Sequence, residues 1–562
     1  MDNEYDYYQG ALEEAFIGIT EKDNPTDYKY LLKGDISGIQ EFIFNIPSKG
    51  AARLLKARSF FIQAVTKMAI EKIKDNLTKT TIISDAGGSF YLSLKTLEEE
   101  KIHNIKDEIN KDLNDFGLYL SIVYTESSNN WKTDCTKIKP IEERQKFQKY
   151  NNNSAAFEPQ QKAKDEETEI TTWKNFAKEL SQATHYNITK CTTDNNIKIE
   201  ETKFSLFGYS FELSTNGDYL FNDKDSQTFI MKELPVWQED NPYLKEVHNK
   251  ESNAYQLEEN LKAGYKEGEY EKPKEGELIG LDHLELQAKH RTGTGKIGTL
   301  KLDIDNLGTL FRDRFNSLDK YKKASKALSF FFGKHLYSIW EKEHFSSYNE
   351  KYAYKDNILV IFSGGDDCFI IGGWDAVLEF TKKLHEEFEG FIKNNESLTF
   401  SAGILILNGN YPVIRIGEET EHYLEKAKGR KNKNSICLFG EAFSWSELDS
   451  ISELSTTLFE LVTDEENPEN KSLLQKIRLS AKGYQSLMNN IKTSNQVNFQ
   501  KVWNLTWFIL RNVREENKEK VDSDIIQKYH DAILNAMQNN QYSSALVYPA
   551  AARWAELLTR KI

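Results

Sequence analysis

The stretch IFSGGDDCFII, residues 361–371, places two glycines and two aspartates inside an apolar run. Buried carboxylates without partners are costly, so Asp366 and Asp367 need a physical reason to be there. A second stretch, DAGGSFYLSL (residues 85–94), repeats the pattern with Ser-Phe in place of the two aspartates. Both stretches are predicted to be β-hairpins with a glycine-rich turn. Why only one of them carries the acids is the question that the sequence poses.

The elements around the two hairpins follow the same order. In each copy a strand, a helix, the hairpin, a second helix and a strand give βαββαβ, the ferredoxin-like arrangement. GDISGIQ aligns with LDIDNLG, which pairs Asp35 with Asp303 and Ser37 with Asp305, and AGGSFY aligns with SGGDDC. We interpret the two copies as a duplicated module. Its predicted helices are 51–72 and 97–118 in the first copy, and 320–343, 374–393 and 421–430 in the second.

Composition and charge bound the class of protein. The chain has 562 residues, enough for about three or four domains, and its 39% hydrophobic and 28% charged residues indicate a globular protein. The net charge of −14 argues against a protein that coats bare nucleic acid, although a local basic channel or a place in a ribonucleoprotein stays open. No stretch is long and apolar enough for a membrane span. Four cysteines without short spacing fit a reducing compartment, so we predict a cytoplasmic protein with no membrane partner.

The chain as a whole is predicted to be an α+β protein of five parts. The polar region between the copies contains two predicted loops or linkers, 143–170 and 258–277, and strand-like pieces such as KFSLFGYSFELS and FIMKELPVW that suggest a small inserted domain. After residue 441, apolar residues at helical spacing predict a C-terminal helical bundle. The predicted parts are an N-terminal segment (1–28), a first ferredoxin-like domain (29–125), the inserted region (126–290), a second ferredoxin-like domain (291–440) and the C-terminal helical domain (441–562).

The acids of the second copy are predicted to converge. Asp303 and Asp305 end its first strand, and Asp366 and Asp367 lie at the tip of the neighbouring hairpin. Clustered acids cannot all ionise unless a cation shares the site, and oxygen-rich clusters suit Mg²⁺ or Mn²⁺ together with substrate phosphates. Two such ions activate an attacking hydroxyl and neutralise charge at phosphorus. The alternative is a plain β-turn, but the aspartates at the matching strand end favour a metal site.

Other residues predict nucleotide contacts. Gly364 and Gly365 let a triphosphate approach the main chain. Lys428, at the lysine-rich end of a predicted helix, is the preferred triphosphate contact, the alternative being compensation of the helix dipole. Ser37 and Ser89 of the first copy are either turn residues or hydrogen-bond donors to a second nucleotide in a metal-free pocket. A donor nucleotide held opposite an acceptor would favour reaction through positioning.

Six motifs in this order carry a family resemblance. GDISGIQ, the Gly-Gly hairpin, LDIDNLG, SGGDD, SAGI…YPV and KAKGRKNKNSICLFG resemble the large polymerase–cyclase subunit of type III CRISPR effector complexes, over about 29–95 and 297–440 and more loosely over the C-terminal helices. The second copy also resembles the GGDEF cyclase module. The resemblance implies two palm domains, ATP bound at both, and AMP transfer with release of pyrophosphate when the complex captures target RNA. The implied partners are the backbone and small helical subunits, crRNA and target RNA.

The resemblance also assigns roles to the motif residues by position. The implied catalytic residues are Asp303, Asp366 and Asp367. The implied metal ligands are these three with Ile304 and Asp305. The implied nucleotide contacts are Asn306, Gly364, Gly365, Ser401 and Lys428. The implied acceptor pocket of the first palm consists of Asp35, Ser37, Gly38, Asp85, Gly87, Gly88 and Ser89.

Three departures from the family pattern shape the expected function. Only 33 residues precede GDISGIQ, so the HD nuclease domain with which many members begin is expected to be absent. The paired-cysteine zinc site between the palms is missing, since Cys191 is alone. Asp85, two residues before the Gly-Gly turn, would repel a triphosphate and attract a cation, and some relatives join AMP to S-adenosylmethionine, which is cationic. The alternative is that Asp85 caps the turn.

The sequence therefore predicts an RNA-activated, metal-dependent nucleotidyltransferase. Its product is expected to be a cyclic oligoadenylate or an adduct of AMP with S-adenosylmethionine. Two alternatives come from other classes: a mainly structural subunit of an RNA-guided complex, and a free-standing GGDEF-like cyclase. The second would not require RNA and leaves the first copy and the C-terminal helices unexplained.

Overall fold

The structure is a computed structural model that describes most of the chain. No helix in the part that it describes is long and apolar enough to cross a membrane. The described residues are 2–17, 28–48, 50–147, 166–191, 198–214, 228–229, 234–266, 270, 272–347, 350–393, 395, 397–464, 471–478, 528–529, 531–532, 535 and 542–561.

The first unit is built on a four-stranded antiparallel sheet with the order β2-β3-β1-β4. Two long helices, α3 and α4, supply its main core, and α5 packs on the outer face against β1 and β4. Because α5 packs on this sheet, the first unit extends past residue 125, the domain boundary that the sequence predicted. After the N-terminal helix α1 (Asp2–Phe16), its elements are β1 (Tyr30–Ser37), α2 (Ile39–Phe44), α3 (Ala51–Asn76), β2 (Thr80–Ala86), β3 (Ser89–Leu94), α4 (Glu99–Leu113), β4 (Tyr119–Glu126) and α5 (Trp131–Phe147).

A five-stranded sheet with the order β6-β7-β8-β5-β9 follows. It packs against α3 through aromatic rings, with Phe60 contacting Tyr186 and Phe211. This confirms the strands predicted for KFSLFGYSFELS, which forms β7 and β8, whereas residues 230–233 of FIMKELPVW lie outside the described ranges. The elements up to the second unit are α6 (Glu166–Gln182), β5 (His185–Lys190), β6 (Lys198–Ile199), β7 (Lys203–Leu206), β8 (Tyr209–Ser214), β9 (Thr228–Phe229), α7 (Pro242–Val247), α8 (Asn253–Lys262) and α9 (Leu281–Thr292).

The two predicted loops in this region are partly wrong. Residues 143–147 complete α5, 166–170 begin α6, and 258–262 complete α8. Their polar composition misled the prediction because an acid in a polar stretch can still have a buried partner. Glu258, for example, is buried and accepts a hydrogen bond of 2.6 Å from the Tyr243 hydroxyl. Residues 148–165 lie outside the described ranges.

The second unit has a six-stranded sheet with the order β13-β14-β10-β15-β16-β17. Its first four strands repeat the order of the first sheet, and β16 adds in parallel to β15. The predicted helices are confirmed, except that a π-helical turn at Phe331–His335 divides 320–343 into α11 and α12. The elements are β10 (Ile297–Ile304), α10 (Leu307–Asp313), α11 (Leu318–Phe330), α12 (Leu336–Lys342), β11 (His344–Ser347), β12 (Glu350–Ala353), β13 (Ile358–Gly364), β14 (Asp367–Gly373), α13 (Trp374–Phe391), β15 (Phe400–Leu407), α14 (Val413–Lys428), β16 (Ser435–Leu438) and β17 (Glu441–Ser444).

The two units pack on each other through reciprocal contacts. The first unit's α3 packs against β13, and the second unit's α11 packs against β2; likewise α2 packs on α14, and α10 on α5. Lys56 on α3 donates a hydrogen bond of 3.0 Å to the Val360 carbonyl, and the hydroxyls of Ser84 and Tyr321 lie 2.9 Å apart on the other side. This pattern is that of an isologous interface, so the two sheets form an approximately two-fold pair within one chain.

Helices at both ends of the chain cover the second unit. The N-terminal α1 packs on α11, and Gln9 donates to the Gly390 carbonyl at 2.9 Å. After β17, Ser444 and Glu447 form a reciprocal capping box that starts the next helix. The C-terminal region is helical where it is described, and residues 479–527 of the predicted bundle lie outside the described ranges. The described helices there are α15 (Trp445–Thr463) and α16 (Tyr542–Leu558).

Candidate active site

The acids of the second unit meet at one edge of its sheet. Asp303, the last residue but one of β10, is directly opposite Asp367, the first residue of β14. The turn between β13 and β14 consists of Gly365, which has a φ of 74°, and Asp366. The backbone N–H of Ile304 donates to the Asp366 carbonyl at 3.2 Å, which ties the turn to the end of β10. The structure therefore brings Asp303, Asp366 and Asp367 together as the sequence predicted.

Burial, together with neighbouring carboxylates, raises the pKa values of all three acids. Burial and the neighbouring Asp303 raise the pKa of Asp366 to about 6. Burial and the neighbouring Asp366 raise the pKa of Asp367 to about 7. Burial also raises the pKa of Asp303, although Lys428 opposes the shift. The cluster thus carries more negative charge than its surroundings stabilise, which is the condition that a bound cation relieves.

Lys428 partly neutralises the cluster. It lies in the last turn of α14, and its Nζ is 2.5 Å from Oδ2 of Asp303. Burial lowers its pKa, but the hydrogen bond to Asp303 outweighs burial and the net shift is upward. Lys428 is therefore charged and lies at the predicted site, where a triphosphate would compete with Asp303 for its ammonium group.

The donor set fits a hard divalent cation. Carboxylate and carbonyl oxygens are the ligands that Mg²⁺ prefers, and Asp303, Asp366 and Asp367 supply the carboxylates. Ile304 is buried and its side chain has no donor atom, so only its backbone carbonyl is available. In the described part of the chain, no three acidic, imidazole or thiol groups are already arranged as a metal centre. Binding a cation requires these side chains to turn toward it, with Lys428 leaving Asp303.

The side chains of Asp305 and Ser401 hydrogen-bond to other groups of the protein, whereas the sequence predicted contacts with metal and nucleotide. Asp305 is buried, and its carboxylate accepts hydrogen bonds from Thr399 Oγ1 (2.9 Å), Ser401 Oγ (2.8 Å) and the Asn434 backbone N–H (2.9 Å). Ser401 is fully buried and uses its hydroxyl in this network. With its oxygens occupied in this way, Asp305 ties β15 and the start of β16 to the end of β10. We interpret both as positioning residues for Asp303, and not as ligands of metal or nucleotide.

The remaining predicted nucleotide contacts lie at the same sheet edge. Asn306 is exposed, has a φ of 57° and precedes the first residue of α10. Gly364 is opposite Asp367 at the end of β13. A Cβ on Gly364 would meet nothing within 4 Å, so the backbone there is open to a ligand on the side of the acids.

The first unit contains an ion pair at the equivalent edge. Asp35 Oδ2 lies 2.5 Å from Nζ of Lys146, in the last turn of α5, and Lys146 also pairs with Glu142 at 2.6 Å. Lys33 pairs with Glu142 at 2.5 Å. The arrangement matches that of the second unit, in which Lys428 pairs with Asp303 and Lys301 pairs with Glu421 on α14.

The predicted acceptor residues of the first unit lie around this ion pair. Ser89 is directly opposite Asp35 in the sheet, and Ser37 donates to the Tyr119 carbonyl at 3.2 Å. Asp85 is exposed near the end of β2. Three glycines shape the edge because all have positive φ, which side chains resist. They are Gly38 (91°), Gly87 (58°) and Gly88 (90°).

Strand register corrects the alignment of the two hairpins by one residue. Asp35 is opposite Ser89, whereas Asp303 is opposite Asp367. Ser89 is therefore the counterpart of Asp367, and Gly88 is the counterpart of Asp366. The predicted alignment placed Ser89 over Asp366, because matching the two Gly-Gly pairs in sequence ignores that the second turn is Gly-Asp.

Two family models match the chain, and they fall on the two units. The model described as "Cas10/Cmr2, second palm domain" matches residues 296–437, and the model described as "Csm1 subunit domain B" matches residues 28–182. Together they cover more than half of the chain, and the first of them contains all of the clustered acids.

Both units of the chain match models of the Cas10/Csm1 family.

Cas10/Csm1 proteins are also among the similar full sequences. A CRISPR system single-strand-specific deoxyribonuclease Cas10/Csm1 (subtype III-A) from Methanocaldococcus jannaschii is 27% identical over 485 residues, which are 74% of this chain and 59% of the relative. The chain spans just over half, 53% to 59%, of the length of the curated relatives that it matches.

Solved Cas10/Csm1 structures share the fold. A Csm1-Csm4 cassette in complex with one ATP has a TM-score of 0.66 and 16% sequence identity, covering 98% of this chain and 72% of that one. A Csm1-Csm4 cassette in complex with cA4 has the same TM-score and identity, covering 97% of this chain and 72% of that one. At this identity the likeness shows a common mixed α/β fold.

The sequence reasoning missed four charged residues of the two sites: Lys33 and Glu142 in the first unit, and Lys301 and Glu421 in the second. It also missed Lys146. One signal was present, since Lys33 and Lys301 each lie two residues before the first aspartate of their copy. The helix that carries Glu142 and Lys146 was hidden because its C-terminal end was interpreted as a polar linker.

Proposed function

We propose that this chain is a metal-dependent nucleotidyltransferase that transfers AMP from ATP to an acceptor hydroxyl within a type III CRISPR effector complex. The observation that carries the proposal is the group of three carboxylates with raised pKa values beside Lys428. We further propose that both units are palm domains of ferredoxin-like topology. The first palm then runs from 29 to 147, the second from 291 to 440, and the inserted and C-terminal domains occupy the remaining parts.

The second palm binds the donor ATP. Asp303, Asp366, Asp367 and the Ile304 carbonyl would hold Mg²⁺ or Mn²⁺, which when bound neutralises triphosphate charge and acidifies the attacking hydroxyl. Lys428 moves from Asp303 to the triphosphate, and the open backbone at Gly364 lets the phosphates approach. The acceptor oxygen forms a bond to the α-phosphorus as the bond to the β-phosphate breaks. Pyrophosphate leaves and the hydroxyl proton passes to solvent.

The first palm binds the acceptor. It lacks the two hairpin acids, so it presents Ser37 and Ser89 beside the Asp35–Lys146 ion pair. Solved relatives bound to ATP and to cA4 support ATP as substrate and a cyclic oligoadenylate as product. The exposed carboxylate of Asp85 supports S-adenosylmethionine as the alternative acceptor, because a cationic ligand is attracted there.

The same relatives support the proposal that this chain assembles with other subunits. Their structures contain Csm4, so we propose that this chain binds an equivalent backbone subunit and, through the assembled complex, the small helical subunits, crRNA and target RNA. Capture of target RNA then activates AMP transfer. The nuclease activity in the curated relatives' names is not part of the proposal for this chain.

Product analysis by mass spectrometry tests the proposal. The assembled complex is incubated with target RNA and Mg²⁺ or Mn²⁺, first with ATP alone and then with ATP and S-adenosylmethionine. Pyrophosphate release with a cyclic oligoadenylate, or with an S-adenosylmethionine adduct, supports nucleotidyl transfer and identifies the acceptor. Absence of any adenylated product under both conditions contradicts it.

A double variant separates catalysis from assembly. Asp366→Asn with Asp367→Asn keeps the side-chain shape but removes both charges, and should reduce product formation by at least about a hundredfold while the complex still assembles. Glu100→Gln, an exposed acid on α4, is the matched charge-loss control. If the double variant fails to assemble, the acids have a structural role and the chain is mainly a scaffold.

A further inference from the structure

The approximate two-fold relation of the palms identifies equivalent positions. Besides the acids, the palms differ at a second pair of these positions. In the second palm, Leu359 on β13 is opposite Ile371 on β14, and both are fully buried under α3 of the first palm. In the first palm, the same register places Thr81 opposite Ser93. The equivalence holds because Ser93 is opposite Leu31 and Ile371 is opposite Thr299, each four residues before the aspartate of its strand.

This polar pair lines a cavity instead of a packed interface. The cavity has a volume of about 210 Å³ and lies between β2, β3 and the start of α11. Lys79, Lys95 and Lys322 line it together with Thr81 and Ser93. Among the residues that the structure describes, the lining contains no acidic side chain, although the chain carries a net charge of −14. Three ammonium groups are therefore concentrated beside this polar pair, whereas the equivalent pair of the second palm is aliphatic.

The cavity is separate from the proposed acceptor pocket. The acceptor residues lie at the sheet edge formed by the end of β1 and the turn between β2 and β3, whereas Thr81 is near the opposite end of β2, roughly 16 Å from that turn along the strand. Within the described residues, Lys79 and Lys322 form no ion pair or side-chain hydrogen bond. Two of the three ammonium groups thus keep their full capacity to bind an anion.

We propose that this cavity binds a phosphate group, either of an RNA backbone or of a free polyphosphate. Lysine ammonium groups bind phosphate as point charges and donate three hydrogen bonds each. The hydroxyls of Thr81 and Ser93 hydrogen-bond each other and keep the floor polar, and the positive cavity on an acidic protein steers anions to it. The site adjoins the palm–palm contact, since Ser84 on the same strand bonds Tyr321, the residue before Lys322.

Lysine footprinting tests the proposal on the full chain. The rate at which an amine-selective reagent modifies Lys79 and Lys322 is followed by peptide mass spectrometry without ligand, with a short single-stranded RNA, and with tripolyphosphate. Lys326, an exposed lysine on the same helix that does not line the cavity, is the internal control. Protection by RNA alone identifies an RNA backbone site, and protection by tripolyphosphate as well identifies a general phosphate site. If ligand changes the modification rates of Lys79 and Lys322 no more than that of Lys326, the proposal is overturned.

A variant that copies the second palm provides an independent test. Thr81→Leu with Ser93→Ile replaces the polar floor with the residues of the packed interface and fills the cavity. Half-protection of Lys79 and Lys322 should then require at least about tenfold more ligand. The filled cavity has no room for the phosphate beside the ammonium groups, and hydrogen bonds to charged groups contribute that much. An unchanged melting temperature and AMP-transfer activity show that the fold is intact. Undiminished protection in the filled variant contradicts the proposed site.

Discussion

The two palms are alike in scaffold and different in charge. Both central strands pair with their hairpin in the same register, and the hairpin's outer strand has an irregularity at the same place, between Ile82 and Ser84 in one and between Val360 and Phe362 in the other. Both carry a lysine–aspartate ion pair between the final helix and the central strand. At the sheet edge they differ in the two acids Asp366 and Asp367, whose counterparts in the first palm are Gly88 and Ser89. The ion pair is therefore a property of the scaffold, and the two acids are the basis on which we propose that only the second palm binds a metal.

The prediction with the largest expected effect concerns the two equivalent lysines, Lys428 and Lys146. Lys428→Met should reduce kcat/KM for ATP by about 10² to 10³-fold, because it removes a charged donor from the triphosphate. Lys146→Met removes the same group from the first palm and should raise KM for the acceptor without changing ATP binding to the second. Initial rates with each nucleotide varied separately distinguish these effects. Equal effects of both variants on ATP binding would show that the palms are not divided into donor and acceptor.

A second test concerns the buried network that holds the end of β10. Asp305→Asn keeps the shape of the side chain but weakens its bonds to Thr399, Ser401 and the Asn434 backbone. Activity should fall by about 10 to 100-fold, the usual effect of losing a residue that orients metal ligands. Because a positioning residue acts through Asp303, the variant should require more Mg²⁺ for half-maximal activity. A loss of activity with an unchanged Mg²⁺ requirement would argue against this role.

The two palms also differ in the residue pair that packs beside the aspartate. Next to the aspartate, the first palm pairs Gly34 with Phe90, and the second pairs Leu302 with Cys368. A Cβ on Gly34 would lie 2.0 Å from the Phe90 ring. Gly34→Leu alone should overpack the core and destabilise the chain by about 1–3 kcal/mol or more.

Adding Phe90→Cys to Gly34→Leu should recover much of this loss, since it recreates the pair of the second palm. The coupling is measured as a double-mutant cycle on melting temperature. Simple additivity of the two substitutions would mean that the positions do not share one space, against the observed contact.

The sequence predicted the parts of this comparison that depend on local pattern. The helices followed from apolar spacing, and Asp303, Asp366 and Asp367 followed from their positions at a strand end and a turn. What it missed depends on tertiary contacts. Lys146 reaches Asp35 only because α5 folds back over the sheet, and Asp305 is occupied by donors from β15 and the segment before β16. Neither spacing nor composition records such contacts.

The smallest expected effect is on stability as a function of pH. Without metal, the folded pKa values of Asp366 and Asp367, about 6 and 7, lie above the ordinary value of 3.8. Groups with raised folded pKa values contribute stability at low pH and lose it as the pH rises through the folded value. In a chelating buffer the melting temperature should therefore fall between about pH 4 and pH 7, and Mg²⁺ should restore it at pH 8. Asp367→Asn should flatten this dependence, whereas the surface control Glu100→Gln should not. If the wild type and Asp367→Asn respond identically to pH, the acids are not in mutual repulsion, and the charge difference between the palms loses its physical basis.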